Sequence, residues 1–360
     1  MVCPTGEPDW SGVTLETFNV TLLTNPRLCN SCICPLKIGD DYFLGFMDYY
    51  PSLAGNALFA AIFGLLLLLQ LFFGIRYKTW GFMIGMAGGL VLEVLGYIAR
   101  ILMRDNMFTD TYFIMYLVCL TIGPAFLSAA IYLTLSRLVV IYGAEHARLR
   151  PQMYTYVFIG CDVVALILQA AGGAIASTAP PFSQMQRSGI NTMVAGVAWQ
   201  VAALLLFAGA SLDFWLRARS GGGRTVNDDD PAWAQLRSRR LFQPAYIVAV
   251  FLAALFVFVR SVFRCAELSE GFGGPLANDE VTFMVLEGTM IILACALLTG
   301  FHPGIVLGGK AWSVASWKSS NNNNNGSNVV VDGQQVVDQS ARFGSEKGFS
   351  TDKTASVRGV

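Results

Sequence analysis

Histidine is nearly missing from this 360-residue chain, and charged side chains are sparse along most of it. Only His146 and His302 occur. That is too few for a seven-helix intramembrane zinc hydrolase, which needs several imidazole ligands around an open metal position. No lysine falls within a long apolar run, so a retinal-type Schiff base is excluded. No G-x-x-x-x-G-K-[ST] stretch is present, so the chain has no P-loop for ATP. No Ser/His/Asp or Cys/His set lies at a plausible membrane depth. The sequence therefore points away from an enzyme and calls for neither a cofactor nor a metal. Charged residues make up 13% against 54% hydrophobic, with a mean hydropathy of +0.53, unlike a soluble chain of this length. The formal net charge is zero, which removes the field that would draw nucleic acid. The first 50 residues carry no apolar h-region, so no cleavable signal peptide is read there. No internal repeat is evident, so an inverted-repeat transporter is not indicated.

What the chain does have is seven apolar runs, over 53–75, 80–102, 111–135, 153–176, 192–216, 244–263 and 281–301. Each reaches the ~20 residues that an α-helix needs to cross ~30 Å of hydrocarbon. The expected fold is all-α: a polytopic membrane protein with a seven-helix bundle. An outer segment rich in turn formers occupies 1–50. The membrane domain runs over 51–309, and a polar tail over 310–360 has no apolar period and is expected to be disordered. The 217–243 connection, with Gly221-Gly222-Gly223 and Asp228-Asp229-Asp230-Pro231, reads as a flexible inner loop. With the N-terminus outside, thirteen basic residues fall on inner loops and the proximal tail against seven on the outer side. The positive-inside rule then favours N-out and C-in.

Cysteine usage agrees with that orientation. Cys3, Cys29, Cys32 and Cys34 all precede the first run and could form two disulfides in any of three connectivities. The rival reading is a zinc site from the C-x-x-C and C-x-C spacing, which lacks a nearby His or a second paired motif. Asn19-Val20-Thr21 is a glycosylation sequon on the same side. In the second run Gly81, Gly85 and Gly89 recur every fourth residue. Such a face lets two backbones approach, either within the chain or across a homodimer. Gly123-Pro124 interrupts the third run. It either frees carbonyls for a ligand or water, or is only a bend.

Ionisable groups inside these runs cost several kcal/mol each unless paired or wetted. Helical spacing sorts them into stripes. Glu93, Gly96, Tyr97 and Arg100 share a face of the second run, and Asp162 and Gln169 a face of the fourth. Arg260, Arg264 and Glu267 line the sixth, and Glu280 and Glu287 are seven apart on the seventh. Stripes on four helices are best satisfied by facing one another. In the N-out orientation, Arg100, Arg260, Arg264, Glu267 and Glu280 lie near outer helix ends. Glu287 lies ~10 Å deeper at ~1.5 Å per residue, and Glu93 and Asp162 lie nearer the midplane. The expectation is one solvated hollow toward the outer leaflet, against the plainer reading of ion pairs that only fix packing.

The stretch RSVFRCAELSEGFGGPLANDEVTFMVLEGTM at 260–290, followed by HPG at 302–304, closely resembles the fungal lipid-translocating exporter family. That family includes sphingoid long-chain-base exporters and resistance-to-aminocholesterol proteins. EVLGYIAR at 93–100, GPAFLSAAIYLTLSR at 123–137, CDVVALILQAAGG at 161–173 and Trp199-Gln200 match as well, so the resemblance covers about 80–304. It implies seven spans, an outer N-terminus, and a role in lipid movement or lipid-related stress resistance. The positions it carries over are Glu93, Tyr97, Arg100, Pro124, Tyr132, Asp162, Gln169, Gln200, Arg260, Arg264, Glu267, Glu280 and Glu287. Phe263 and Phe283 depart from the tyrosines expected there.

The resulting expectation is a transporter of an amphipathic lipid such as a sphingoid base, in the plasma membrane or an endomembrane such as the vacuole. The ammonium would pair with Glu93, Asp162 or Glu287. Arg260 and Arg264 would hold a phosphate or balance those acids. The alternatives are a lipid receptor or sensor with the layout of a G-protein-coupled receptor, in which the same cavity shifts a helix equilibrium, and an accessory protein for a partner pump.

Overall fold

The computed structural model describes residues 29, 33–38, 42–43, 47, 49–105, 107–108, 110–142, 151–179, 183–220, 245–271, 274, 276–307 and 312. Seven of its helices are long and apolar enough to cross a membrane. They are α1 (Leu53–Tyr77), α2 (Trp80–Met103), α3 (Asp110–Tyr142), α4 (Pro151–Thr178), α5 (Gln184–Ser220), α6 (Ile247–Glu270) and α7. The last is built from Glu280–Phe283, a π-helical segment Met284–Thr289, and Met290–Gly300. A one-turn α8 (Pro303–Val306) follows. The only strands among the described residues are two residues long: β1 (Lys37–Ile38) pairs antiparallel with β2 (Tyr42–Phe43) in the segment before α1. The protein is an all-helical integral membrane protein.

Local chemistry sets the helix ends. The Ser52 hydroxyl accepts the Gly55 N–H at 3.3 Å and starts α1. Lys78, at φ 56°, closes it in the left-handed region, with its N–H on the Gly74 and Ile75 carbonyls. Asp279 caps α7 by accepting from Val281 N–H at 3.1 Å and Thr282 N–H at 3.4 Å. Helix starts and stops extend past several of the apolar runs. At 37 residues α5 is the extreme case, ~55 Å long against ~30 Å of hydrocarbon. Hydropathy marks only the apolar part of a helix, and its polar first turns from Gln184 lie beyond that signal.

Sequential helices pack side by side. In addition, α3 meets α6 and α1 meets α7, which brings the last spanning helix back to the first. The outward faces are apolar, with Leu58, Leu65, Leu68 and Phe72 exposed on α1 and Ile167 and Leu206 on α4 and α5. That is the pattern of a bundle solvated by lipid. The glycine face of α2 is turned inward. A Cβ at Gly85 would lie 3.2 Å from the Phe126 carbonyl, and one at Gly89 2.9 Å from the Gly123 carbonyl, so these glycines let α2 lie against α3. This corrects the homodimer expectation: the Gly81/Gly85/Gly89 face is covered by the chain's own third helix. Cys29 and Cys34 form a disulfide with Cα atoms 5.4 Å apart, which removes two of the thiolates that the zinc reading required. Cys3, Cys32, Asn19, residues 221–243 of the long connection and, apart from Trp312, residues 310–360 lie outside the described residues.

Candidate functional site

The α2 face expected from spacing is the floor of a buried polar network. Glu93, Tyr97, Arg100, Arg260, Arg264, Glu267 and Glu287 are each 4% exposed or less. Its centre is the guanidinium of Arg260, which ion-pairs with Glu287 and also donates to the Leu120 carbonyl. Pro124 explains the second contact. Proline has no N–H, so the carbonyl four residues earlier, that of Leu120, loses its helical donor. The carbonyl freed at Gly123-Pro124 is thus taken by a side chain of α6. Gly123 itself gives Glu93 its space: a Cβ there would sit 2.9 Å from the Glu93 carboxylate oxygen. Glu93 accepts no hydrogen bond among the described residues and interacts with Arg260 and Glu287 only through the field between them.

Glu287 lies in the π-helical segment of α7, where the Thr289 hydroxyl donates to the Met284 carbonyl at 3.1 Å. A π turn breaks the 3.6-residue period, so positions seven apart no longer stack. Glu280 and Glu287 accordingly serve different partners, which corrects the single stripe expected for them. Glu280 accepts the Ser52 N–H at 2.6 Å and fastens the start of α7 to the start of α1. Gly288, beside Glu287, makes room for the Tyr97 hydroxyl, 2.3 Å from where a Cβ would be. The Tyr97 ring is stacked between Phe59 and Phe63, at 5.3 and 5.5 Å between centroids.

Toward the C-terminal end of α6, Arg264 donates to Glu267 at 2.6 Å, one turn along the helix. Among the described residues Arg100 has no carboxylate partner. Its Nε donates to Asn56 at 3.0 Å and one Nη to the Tyr49 hydroxyl at 2.8 Å. Its guanidinium lies 4.0 Å from the Phe283 ring centroid and 5.1 Å from that of Tyr116. Phe283, one of the two departures from the family pattern, thus supplies a cation–π face where a tyrosine was expected. Burial pushes the Tyr49 phenol above its ordinary pKa, while the neighbouring Arg100 pulls it down. Asn56, Tyr49, Tyr116 and the Leu120 carbonyl were not singled out by charge. The signal for Asn56 was an amide one turn inside an otherwise apolar run.

The remaining expected residues lie elsewhere. Gln169 of α4 donates to Gln200 of α5 at 3.4 Å. Asp162 faces the Tyr132 hydroxyl of α3, whose ring packs against Phe158 and Phe207. The structure therefore makes two polar groupings rather than one.

Two clefts lie away from the network. An apolar cleft of about 390 Å³ lies between α3, α5 and α6, lined by residues such as Leu135, Phe214 and Phe251. A polar cleft sits at the start of α5, lined by Gln184, Arg187, Ser188 and Asn191. Neither is lined by a member of the network. The ionisable groups were expected to line water; here Arg260 pairs with Glu287 and Arg264 with Glu267, while Glu287 Oε2, Arg264 Nε and the Tyr97 hydroxyl are buried without a hydrogen bond among the described residues.

Comparison with known proteins places this geometry in context. A family model described as RTA1-like protein matches residues 86–310, which span every helix of the network except α1. The chain is 29% identical over 286 residues to a protein of Saccharomyces cerevisiae named sphingoid long-chain base transporter RSB1, covering 73% of this chain and 75% of the relative. It is 24% identical over 302 residues to a protein of Emericella nidulans named probable lipid transporter atnI, covering 82% and 75%. Protein RTM1 of Saccharomyces cerevisiae is 26% identical over 218 residues, covering 60% and 66%. No solved structure matches.

Proposed function

The chain belongs to the RTA1-like family, and from that membership we propose that it transports amphipathic lipids bearing a basic amine, with sphingoid long-chain bases as the leading class. The relatives' names support this reading, and one observation in the site carries it. Of the network's carboxylates, Glu287 is held by Arg260 and Glu267 by Arg264, whereas Glu93 has no hydrogen bond of its own. An ammonium entering a low-dielectric site needs such a free acid. In this proposal the hydrocarbon chain stays in the lipid-facing gaps between helices while the amine visits Glu93. Tyr97 and the Arg260–Glu287 pair rearrange to admit it, because these groups are buried as they stand. Gln169, Gln200 and Glu280 act on helix positions rather than on cargo.

The distribution of basic residues supports an outer N-terminus and an inner C-terminus. With no P-loop, movement is downhill or coupled to an ion gradient. Export of such lipids from the plasma membrane would lower their burden on the cell and so confer stress resistance. The test is purified protein in vesicles with a labelled sphingoid base. Accelerated transfer that drops at least tenfold in Glu93→Gln supports the proposal. Transfer unchanged at equal protein removes Glu93 from the mechanism. Binding without any transfer favours the receptor alternative.

A further inference from the structure

Asp162 is a carboxyl group inside the bundle with no ion at its side. It is 3% exposed; neither of its oxygens makes a hydrogen bond of standard geometry, and the polar group beside it is the Tyr132 hydroxyl. Across from it on α3, the hydroxyls of Tyr132 and Ser128 are also buried and make no hydrogen bond of standard geometry, at 0% exposure each. Ser128 and Tyr132 lie one helical turn apart, so the three oxygens form a short column.

The groups facing Asp162 are known from each element that packs on it. From α3 come Tyr132 and Ser128. Phe207 comes from α5, against the Tyr132 ring at 4.5 Å. Cys161 and Phe158 are on α4 itself. No cation is among these groups in the described residues. Arg137 of α3 lies over Trp312, and Arg217 of α5 pairs with Asp213 at 3.1 Å. An ionised carboxylate in this setting is expensive, and the protonated form removes that expense. The hydroxyl column can serve both forms by rotation. A neutral Asp162 donates to the Tyr132 oxygen, and an ionised one accepts from the Tyr132 O–H.

The surrounding rings also limit what can occupy the site. Phe158 and Phe207 stand edge to face at 5.2 Å, and neither cleft in the structure is lined by Asp162. A proton needs no cavity to occupy such a site. We propose that Asp162, with Tyr132 and Ser128, is a proton-carrying site separate from the Arg/Glu network. It couples lipid movement to a proton gradient, and that clause rests on the transport reading above. In the closed state the proton is on the carboxyl. When the helices part, the carboxyl O–H bond breaks, the proton passes to water, and the Tyr132 O–H stabilises the carboxylate left behind.

Two measurements separate this proposal from the function on which it builds. Infrared difference spectra of the purified full chain, taken between acid and alkaline pH, read the carboxylic C=O band without any cargo. The expected result is a band in the wild type that is absent in Asp162→Asn and shifted in Tyr132→Phe, a variant that keeps the ring packing. A band that persists unshifted in both variants overturns the proton site whether or not the protein moves lipid. In vesicles, transfer of a labelled sphingoid base by the wild type should respond to an imposed pH gradient. That response should be lost in Asp162→Asn. A response equal to wild type overturns the coupling. Wild-type vesicles with no lipid transfer at all, but an intact Asp162 band, would instead refute the transport reading and leave the site standing.

Discussion

Replacing Glu287 by leucine strands the Arg260 guanidinium, which is 2% exposed. Breaking a buried pair from one side costs about 3–5 kcal/mol, because the remaining charge keeps its desolvation penalty without its counter-charge. Replacing Arg260 by leucine strands Glu287 at the same cost and also orphans the Leu120 carbonyl, which Pro124 has already deprived of a helical donor. An unsatisfied buried acceptor adds about 1–3 kcal/mol. The double variant Arg260→Leu/Glu287→Leu has no stranded partner within the pair and retains only the carbonyl deficit. The double-mutant cycle should therefore show a coupling of about 6–10 kcal/mol, with the double more stable than either single. A neutral interhelical hydrogen bond in a bilayer would give only ~0.6 kcal/mol and at most ~1.7. The two explanations are thus well separated.

The assay is equilibrium unfolding in mixed micelles, followed by helical circular dichroism, with all four proteins at the same detergent composition. A coupling below ~1.7 kcal/mol, or a double variant as unstable as the two singles summed, would refute the ion-pair argument. Pro124→Ala gives an internal control. It supplies the missing N–H to the Leu120 carbonyl, so in that background the cost of Arg260→Leu should fall by about 1–3 kcal/mol. No change would mean that the carbonyl contact carries no energy.

Other expectations follow from the same geometry. Gly288→Ala drives a methyl group to within 2.3 Å of the Tyr97 hydroxyl and 2.7 Å of the Phe59 ring, and Gly123→Ala one to within 2.9 Å of Glu93. Overpacking at either site should cost about 1–3 kcal/mol, with the greater loss at Gly288, read as thermal unfolding in detergent. Tyr49→Phe removes the hydroxyl that holds Arg100 and should cost about 1.5–3 kcal/mol, as for a bond to a charged group. Because the folded state raises the Tyr49 pKa, its contribution is complete below the ordinary phenol range and is lost as pH rises through the raised value. An alkaline stability profile of wild type minus Tyr49→Phe should show that loss; a flat difference would contradict it.

The seven helices were legible because ~20 apolar residues have few other uses, and the stripes were legible because 3.6 residues per turn fixes which positions on one helix share a face. Glu93, Tyr97 and Arg100 do line one buried face, as do Arg260, Arg264 and Glu267. What spacing cannot supply is the phase of one helix against another. That depends on α3 meeting α6 and α1 meeting α7, contacts between residues more than a hundred positions apart. It also depends on local breaks in the period. The π turn at Met284–Thr289 sends Glu280 to the start of α1 and Glu287 to Arg260, and no composition signal marks it. The pairing within the network was not legible for a different reason. An ionisable side chain in a membrane demands a partner, but the demand is indifferent to whether that partner is water or another side chain. Arg260 and Arg264 stand beside Glu287 and Glu267 in matching number, so the acids and bases could close on one another. Arg100 found an amide, a phenol and two ring faces instead of a carboxylate. Those exchanges leave Glu93 and Asp162 as the acids without a hydrogen bond of standard geometry, one beside the network and one apart from it. Any cargo amine or proton that this bundle takes up must contend with the remaining acids already engaged.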